Sequence, residues 1–352
     1  MLEDMQGIPL NMSYYHKSTT VYVFHYIYGI IAGLSIVVNL TILLLIVCNK
    51  HLLRRPTNLI LCSLALADLF TSIGLFLTPN AVIPWHYYHL FITILGIDMF
   101  CLVLASYYLF FTFGSISIVT ITIIAYERWI AINKARHYRK IFTVKRAIII
   151  LTAVWLFIPG LNIDRLMMMR ANQNWTLNAF PCRLIQLSSH TFSKACYYLA
   201  LESLRIFIPI LLMIQKYCSI SRHFYHRQSA VKSYIIRGLK RNRIRRLTVI
   251  ASTATAILLI CWLPHELYYS LYLFQAVPHN EALNRTFKAM IVLNTVLNPI
   301  MYTAMNTFCK RKLLAILGRI NICNLFTVKE TRTFLSIQDY HSCGLPASKI
   351  YY

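Results

Sequence analysis

Charged residues are scarce in this sequence, and acidic residues are scarcer still. Only 13% of the 352 residues are charged, and 11 Asp and Glu stand against 35 Lys and Arg. A soluble domain carries about 25% charged residues, so the composition excludes an ordinary soluble protein and favours a membrane protein. The net charge of +24 would suggest nucleic acid in a soluble protein. Here the basic residues cluster between apolar segments, which indicates a cytoplasmic face against anionic lipid and no nucleic-acid partner.

Motifs for catalysis and metal binding are also missing. The chain has no His-Glu-x-x-His, no Gly-x-Ser-x-Gly and no phosphate-binding loop, and its 12 histidines are scattered without metal-ligand spacing. We therefore do not expect an enzyme. No internal repeat marks the chain as a transporter, and no filter sequence or ring of charges marks it as a channel. A membrane transporter or channel is kept as the alternative from another class.

Long apolar runs are what the sequence has in abundance. A spanning helix needs about 20 mostly apolar residues, and the chain offers seven such runs. They cover residues 22–48, 57–84, a part of 91–126 whose start is left open, 147–163, 196–220, 247–275 and 287–305. Spans two, four, five, six and seven contain prolines, which a bundle accommodates as kinks. The sequence predicts an all-α membrane protein, a seven-transmembrane helix bundle over residues 22–306.

The basic residues in the loops predict the orientation. They concentrate after spans one and three and between spans five and six, whereas the opposite loops are sparser in basic residues. Positively charged loops stay in the cytoplasm, so residues 1–21 are predicted to form an extracellular tail and the C-terminus is predicted to be cytoplasmic. The glycosylation sequons at Asn11 and Asn174 both fall on the outer side, in agreement.

The pattern changes after span seven. Residues 307–321 are predicted to form a short amphipathic helix on the inner leaflet. Its apolar side chains share one helical face: Leu313, Ile316, Leu317 and Ile320. Cys323 follows, either as a palmitoylation site or as an unmodified cysteine. Residues 322–352 are polar and are predicted to form a flexible cytoplasmic tail.

Asp68 is the clearest charge inside a predicted span, and such charges are costly and usually functional. Ser117, Asn294 and Asn298 are expected near it in the bundle. Their oxygens suit a monovalent cation or a cluster of waters. A hydrogen-bonded polar plug without an ion is the alternative, and the residues alone leave these readings open.

A second polar group is predicted in the outer halves of spans five to seven. Glu202 and Arg205 are spaced i, i+3 and would pair with each other, or Arg205 would bind a ligand anion such as a carboxylate. Further residues at this level indicate an outward-facing cavity that is polar and aromatic: His265, Glu266, Lys288, Tyr268, Tyr269 and Tyr272. For Lys288, snorkelling to the interface is the alternative.

The stretch Tyr126-Glu127-Arg128-Trp129 marks the inner end of span three, where a Glu-Arg pair alone could be an interfacial anchor. The other spans carry matching motifs in order: Asn39, Leu64-Ala65-Leu66-Ala67-Asp68, Trp155, Pro209 with Tyr217, Cys261-Trp262-Leu263-Pro264, and Asn298-Pro299-Ile300-Met301-Tyr302. Each motif alone is weak, but one per span in this order is specific. From about Val38 to Ile320 the chain resembles the rhodopsin-like family of G-protein-coupled receptors.

That resemblance implies a plasma-membrane receptor for a heterotrimeric G protein, with arrestin and a receptor kinase as further partners. A ligand from outside would shift Trp262, span six would swing about Pro264, and Arg128 would be released. The implied switch residues are Glu127, Arg128, Tyr217, Trp262, Pro264, Asn298, Pro299 and Tyr302. A sodium ion held by Asp68, Ser117, Asn294 and Asn298 would modulate the inactive state, and no other cofactor is expected.

One departure from the family pattern concerns a disulfide. The resemblance implies that Cys101 pairs with Cys182, but Cys101 lies two residues further from Arg128 than is usual in the family. The local helix must therefore differ. Pairing of Cys182 with Cys196 is the competing arrangement.

Two further departures concern the switch. Ile244 stands at the base of span six, where rhodopsin has an acid. Arg128 is therefore expected to be held by Glu127 alone, and basal signalling is expected to be raised. Leu258 stands in span six where an aromatic residue is usual, so the switch core is also atypical.

The resemblance also narrows the ligand. Amine receptors place an Asp eighteen residues before the motif Arg, and here that residue is Phe110; the retinal Lys of opsins corresponds to Val292. A monoamine and light are therefore not expected. A long, glycosylatable outer loop and charged outer residues favour a peptide with an acidic group near Arg205. A small lipid or metabolite, or an orphan role, is the alternative. The predicted ligand-binding residues are Phe110, Glu202, Arg205, Trp262, His265, Glu266, Tyr269 and Lys288.

Overall fold

The structure, a computed structural model, describes six stretches of the chain: residues 12–167, 169–172, 180–184, 192–228, 235–278 and 280–305. The chain divides into two compact units, Met1–Lys310 and Arg311–Tyr352. Every described residue lies in the first unit, and most of the described residues are helical.

Seven long helices form the bundle in the described residues. They are α1 (Met12–Val47), α2 (Pro56–Leu77), α3 (Tyr108–Asn133), α4 (Val144–Leu161), α5 (Phe192–Glu202 continued by Ser203–Phe207 and Ile208–Gln228), α6 (Ile235–Leu273) and α7 (Glu281–Met305). The first six include segments long and apolar enough to cross a membrane. The helix α7 has the length of a span, but Arg285 and Lys288 make its first half more polar. The predicted all-α bundle of seven helices is confirmed.

Short helical segments connect the long ones. They are Lys50–Leu53, Trp85–Tyr88, His89–Leu95, Ile97–Met99, Tyr138–Ile141 and Ile163–Leu166. Two of them matter for function, because Tyr138–Ile141 lies beside the inner end of α3 and Ile163–Leu166 extends the outer end of α4.

The end of α2 differs from the prediction, whereas the first span agrees with it. The helix α1 begins at Met12, and its part long and apolar enough to cross a membrane is Tyr22–Val47. The helix α2 ends at Leu77 rather than at residue 84, and Thr78 is extended, with φ −80° and ψ 119°. The next residue is Pro79, whose ring disfavours helical backbone in the residue before it. Pro79 therefore ends the helix, and its predicted role as a kink in span two was wrong.

The outer end of span three is not one regular helix. The segment Ile97–Met99 leads into a π-helical turn, Phe100–Ala105, and Tyr107 is left-handed, with φ 60°, just before α3 begins. A π-helical turn holds more residues than an α-helical turn. The wide turn and the break together take up the additional residues between Cys101 and Arg128.

A disulfide bonds this turn to the outer loop. The strands β1 (Met169–Ala171) and β2 (Cys182–Leu184) pair antiparallel, with Ala171 opposite Cys182. Cys101 and Cys182 form a disulfide with their Cα atoms 5.4 Å apart. The pairing implied by the family resemblance is confirmed. Cys196 is a free, exposed thiol, so the competing arrangement was wrong.

Apolar side chains cover both the inside and the outside of the bundle. Buried residues of α2 and α3 such as Ile60 and Ile118 fill its centre, and both are 0% exposed. On the outside, Tyr26 of α1 and Leu156 of α4 are 72% and 75% exposed. Such a surface is unfavourable in water, but it suits the hydrocarbon of a bilayer.

Candidate functional site

Asp68 is fully buried between α2, α3 and α7. Its Oδ1 accepts a hydrogen bond from Ser117 Oγ at 2.7 Å, and its Oδ2 accepts one from Asn298 Nδ2 at 3.0 Å. Asn294 lies one helical turn before Asn298 on α7. The Oδ1 atoms of both asparagines are buried without a hydrogen-bond partner among the described residues. Carboxylate, hydroxyl and unpaired amide oxygens are a donor set that fits a hard cation.

A network of hydroxyl groups adjoins Asp68. Ser72 Oγ lies 2.7 Å from Ser35 Oγ and 3.5 Å from Thr295 Oγ1. Asn39 Nδ2 donates to the carbonyl oxygens of Ser35 at 2.9 Å and Thr295 at 3.0 Å. These interactions join α1, α2 and α7. Our sequence reasoning missed Ser35, Ser72 and Thr295; the spacing of Ser72, four residues after Asp68, was the only local signal.

Glu127 and Arg128 form an ion pair of 2.6 Å at the inner end of α3. Two more side chains hold the same carboxylate. Thr57 Oγ1 donates to Glu127 Oε1 at 2.9 Å, and the Tyr138 hydroxyl donates to the same atom at 2.5 Å. We call these four residues the inner lock. In this conformation the lock is closed, because Arg128 is held against Glu127.

Tyr138 lies outside the spans, between α3 and α4. Burial and the negative charge of Glu127 raise the pKa of the Tyr138 phenol to about 12. The phenol therefore keeps its proton at physiological pH and donates it to Glu127. Thr57 and Tyr138 are 70 and 11 residues from Glu127 in the chain, and no sequence pattern connected them with it.

Trp129, the residue after Arg128, joins α3 to α5. Its Nε1 donates to Ser219 Oγ at 3.0 Å. Lys216 Nζ lies 4.7 Å and Lys134 Nζ 5.4 Å from the centroid of the Trp129 ring, both within the range of cation–π attraction. Tyr126 stacks on the same ring with the centroids 5.7 Å apart. These contacts fix the inner end of α3 against its neighbour.

Trp262 occupies the middle of the bundle and is 1% exposed. Its ring packs directly on Gly114 of α3. A Cβ added to Gly114 would lie 2.6 Å from Trp262 Cη2 and 2.8 Å from Cζ2. Only glycine leaves room for the indole in this position. Leu258, four residues earlier on α6, is also fully buried. Gly114 was not predicted, because a missing side chain leaves no pattern in the sequence.

Asp164, Arg165, Glu202 and Arg205 form a buried group that we call the outer ionic cluster. Arg205 NH1 donates to Glu202 Oε1 at 3.0 Å, Arg205 NH2 also pairs with Asp164, and Nε donates to the Leu161 carbonyl at 3.0 Å. Arg165 NH2 donates to the same Glu202 Oε1 at 2.7 Å. The predicted pairing of Glu202 with Arg205 is therefore present, within a larger group.

Arg205 is 0% exposed, and it lies on the π-helical turn Ser203–Phe207 of α5. All three nitrogens of its guanidinium already have protein acceptors. A ligand anion would have to displace one of them, so contact between Arg205 and a ligand stays a prediction. Arg165 and Asp164 were not predicted as partners, since they lie 37 and 41 residues from the residues they bind.

His265 and Glu266 extend the cluster onto α6. His265 Nδ1 lies 3.0 Å from Glu266 Oε1. The His265 ring lies 5.4 Å from that of Phe111 and is stacked on Tyr269 at 6.3 Å. The Arg165 guanidinium covers the Phe111 ring at 3.9 Å. Polar and aromatic groups are thus combined here, whereas the outward-facing cavity stays a prediction.

Phe110 and Lys288 complete the set of predicted ligand contacts. Phe110 is 0% exposed, and its ring meets that of Phe111 edge to face at 5.0 Å. Lys288 Nζ lies 3.9 Å from the centroid of the Tyr107 ring. Lys288 therefore contacts the side chain at the left-handed break before α3, within the range of cation–π attraction.

Several predicted features lie outside the described residues. They are the glycosylation sites Asn11 and Asn174, Cys323, the amphipathic helix 307–321, the tail 322–352, and the side chains of Ile244 and Tyr302. Tyr217, another predicted switch residue, is half-buried.

Comparison with known proteins gives the same assignment as the motifs. Residues 38–302 match the family model of the 7 transmembrane receptor (rhodopsin family). The chain is 25% identical to the histamine H2 receptor of Rattus norvegicus over 289 residues, which are 78% of this chain and 73% of that receptor. It is also 25% identical to the histamine H2 receptor of Homo sapiens over 280 residues, 76% of this chain and 72% of that receptor.

A second kind of relative matches a shorter stretch. The chain is 28% identical to dopamine receptor 2 of Drosophila melanogaster over 189 residues, 52% of this chain and 31% of that receptor. The family match runs from α1 to α7. This chain therefore belongs to the rhodopsin family of seven-transmembrane receptors, and it is a multi-pass membrane receptor rather than an enzyme.

Proposed function

We propose that this receptor binds an extracellular ligand in the outer half of its bundle and activates a heterotrimeric G protein through movement of α6. The closed inner lock is the observation that carries the proposal. Arg128 is held by Glu127 at 2.6 Å, while Thr57 and Tyr138 occupy the same carboxylate. A ligand that favours the opened arrangement would free Arg128 for a partner at the inner surface.

The helix α6 extends from the outer site towards the inner side of the bundle. Trp262 contacts α3 at Gly114, Pro264 follows two residues later, and His265 and Glu266 come next on the outer side. Proline removes one helical hydrogen bond and allows a bend at this point. A ligand that displaces His265 or Glu266 would therefore shift Trp262 and swing the inner half of α6.

Two features support an extracellular N-terminus and a place in the plasma membrane. The Cys101–Cys182 disulfide lies at the end of the bundle opposite Arg128, and disulfides form in oxidising compartments. Basic residues follow α3 at the other end, as expected of a cytoplasmic loop. We assign the disulfide end to the outside of the cell.

A peptide is the ligand we favour. The named relatives are histamine and dopamine receptors, but Phe110 stands where the family resemblance implies the acid of amine receptors. The outer ionic cluster offers charged groups for a peptide, and an acidic peptide group could exchange with Asp164 or Glu202 on Arg205. A small lipid or metabolite is the alternative. Screening peptides in acid and amidated forms, alongside amines, tests this choice; equal potency of both forms would argue against the exchange at Arg205.

A sodium ion is proposed at Asp68, with Ser117, Asn294 and Asn298. The buried, unpaired Oδ1 atoms of the two asparagines support it. Sodium in place of choline should lower basal exchange, and Asp68→Asn should abolish that difference. A sodium effect that survives Asp68→Asn would contradict the site.

Further cytoplasmic partners are proposed from the tail. Thr331, Thr333, Ser336 and Ser342 are acceptors for a receptor kinase, and phosphate groups there would attract the basic surface of an arrestin. Arrestin recruitment that is unchanged when all four are replaced by alanine would contradict this assignment.

Nucleotide exchange on purified G proteins tests the receptor assignment. The reconstituted receptor should accelerate exchange, and Arg128→Ala should abolish the acceleration. Parallel ion-flux measurements on the same vesicles distinguish the alternative class. Flux without exchange would favour a transporter or channel.

A further inference from the structure

Glu202 of α5 and Glu266 of α6 place two carboxyl groups side by side in a buried site. They are 2% and 0% exposed, and their carboxyl groups lie within hydrogen-bonding reach of each other. Oε1 of Glu202 is bound by two guanidinium groups, and Oε1 of Glu266 faces His265 Nδ1. The Oε2 atom of each is buried and has no hydrogen-bond partner within the described stretches.

Two carboxylate oxygens cannot bond to each other unless a proton lies between them. A buried polar atom without a partner costs about 1–3 kcal/mol, and two adjacent negative charges also repel. One shared proton satisfies both oxygens and removes the repulsion. We infer that Glu202 and Glu266 bind a single proton between their Oε2 atoms, and that this proton joins α5 to α6 in the resting receptor.

The surrounding charges indicate which carboxyl group carries the proton. The groups that face the pair are Asp164 and Arg165 after α4, Arg205 on α5, and His265 and Tyr269 on α6; Tyr198 of α5 lies near Tyr269, and Lys288 of α7 lies near His265. Both arginines bind Glu202, so Glu202 is the ionised member and Glu266 is the protonated member. If His265 carried the proton instead, it would donate a hydrogen bond only to Oε1 of Glu266. Both Oε2 atoms would still lack a hydrogen-bond partner.

Loss of this proton has a direct structural consequence. Two ionised carboxylates would then face each other across the junction of α5 and α6, and repulsion and hydration would separate them. In the structure the closed pair coexists with the closed inner lock. A rise in external pH should therefore favour the open receptor. The bound proton does not depend on the proposed function, whereas its effect on signalling rests on that function.

Infrared spectroscopy of the purified receptor in lipid nanodiscs tests the proton directly. The band of a protonated carboxyl group should disappear as pH rises and should shift when H2O is replaced by D2O. Glu266→Gln and Glu202→Gln should each lack this band. Asp68→Asn, at another buried carboxyl group, and Asp98→Asn, at an exposed one, should keep it. If the wild type lacks such a band at low pH, the inference is overturned. It is also overturned if the band persists in both Glu266→Gln and Glu202→Gln.

Basal nucleotide exchange measured against external pH tests the consequence. Exchange by the wild type should rise with pH, and exchange by Glu266→Gln should stay at the low-pH level because the amide keeps a donor towards Glu202. An equal rise in Glu266→Gln would overturn the role of the pair in holding α5 to α6. If nucleotide exchange is absent at every pH while the infrared band titrates as expected, the result contradicts the proposed function. The same result supports the bound proton.

Discussion

Replacement of Gly114 by alanine is expected to raise the basal activity of the receptor. The added Cβ would lie 2.6 Å from Cη2 and 2.8 Å from Cζ2 of Trp262. Carbon atoms in contact are about 3.5–4.0 Å apart, so the indole and the methyl group must separate by about 1 Å. Overpacking of a buried site in this way costs about 1–3 kcal/mol.

This cost destabilises the resting receptor, in which Trp262 packs on residue 114. If the shifted position of the indole relieves the clash, the equilibrium between the resting and the active receptor changes by about 5- to 150-fold. The assay is basal nucleotide exchange on purified G protein, without ligand, at equal receptor concentration. Exchange by Gly114→Ala should rise by a factor within that range, as long as the wild type is mostly at rest.

Gly33→Ala is the matched control. A Cβ added to Gly33 meets no atom within 4 Å, and it brings the same gain in helix propensity of about 1 kcal/mol. A second control is the double variant Gly114→Ala with Trp262→Phe. Its basal exchange should be close to that of Trp262→Phe alone, because the smaller ring removes the clash. Equal basal exchange by Gly114→Ala and Gly33→Ala would refute the reasoning.

Three other predictions follow from single contacts. Tyr138→Phe removes a hydrogen bond to a charged acceptor worth about 1.5–3 kcal/mol, so basal exchange should rise; an unchanged rate would contradict the role of Tyr138 in the inner lock. Ile244→Glu supplies a second acid for Arg128 and should lower basal exchange, and equal activity of both forms would count against this idea. Cys182→Ser should lower the midpoint of thermal unfolding by removing a disulfide worth about 2–5 kcal/mol, whereas Cys196→Ser, at a free thiol, should leave it unchanged; equal midpoints would argue against the disulfide.

The seven helices and the side chains that bind the Asp68 carboxylate could be predicted from the sequence because both leave local patterns. Each span is a long apolar run. Within these runs, Asp68, Ser117 and Asn298 stand out as motif residues or as isolated polar residues. Glu202 and Arg205 were predictable as a pair because they are three residues apart on one helix. In each case the signal lies within about one helical turn or one span.

The rest depended on contacts between distant parts of the chain. Arg165 reaches Glu202 across 37 residues, and Thr57 reaches Glu127 across 70. Only the packing of the helices brings these groups together, and no spacing rule encodes it. The π-helical turn at Phe100–Ala105 is similar: the position of Cys101 showed that the helix had to differ, but the sequence did not show how.

The distance between the inner end of α3 and the inner half of α6 tests the central claim most directly. Spin labels at Asn133 and Leu247, in a receptor with its other reactive cysteines replaced, would report this distance by pulsed electron resonance. We predict a longer distance with nucleotide-free G protein bound than without it, and a smaller change in Arg128→Ala. Nucleotide exchange accompanied by an unchanged distance would contradict activation through movement of α6.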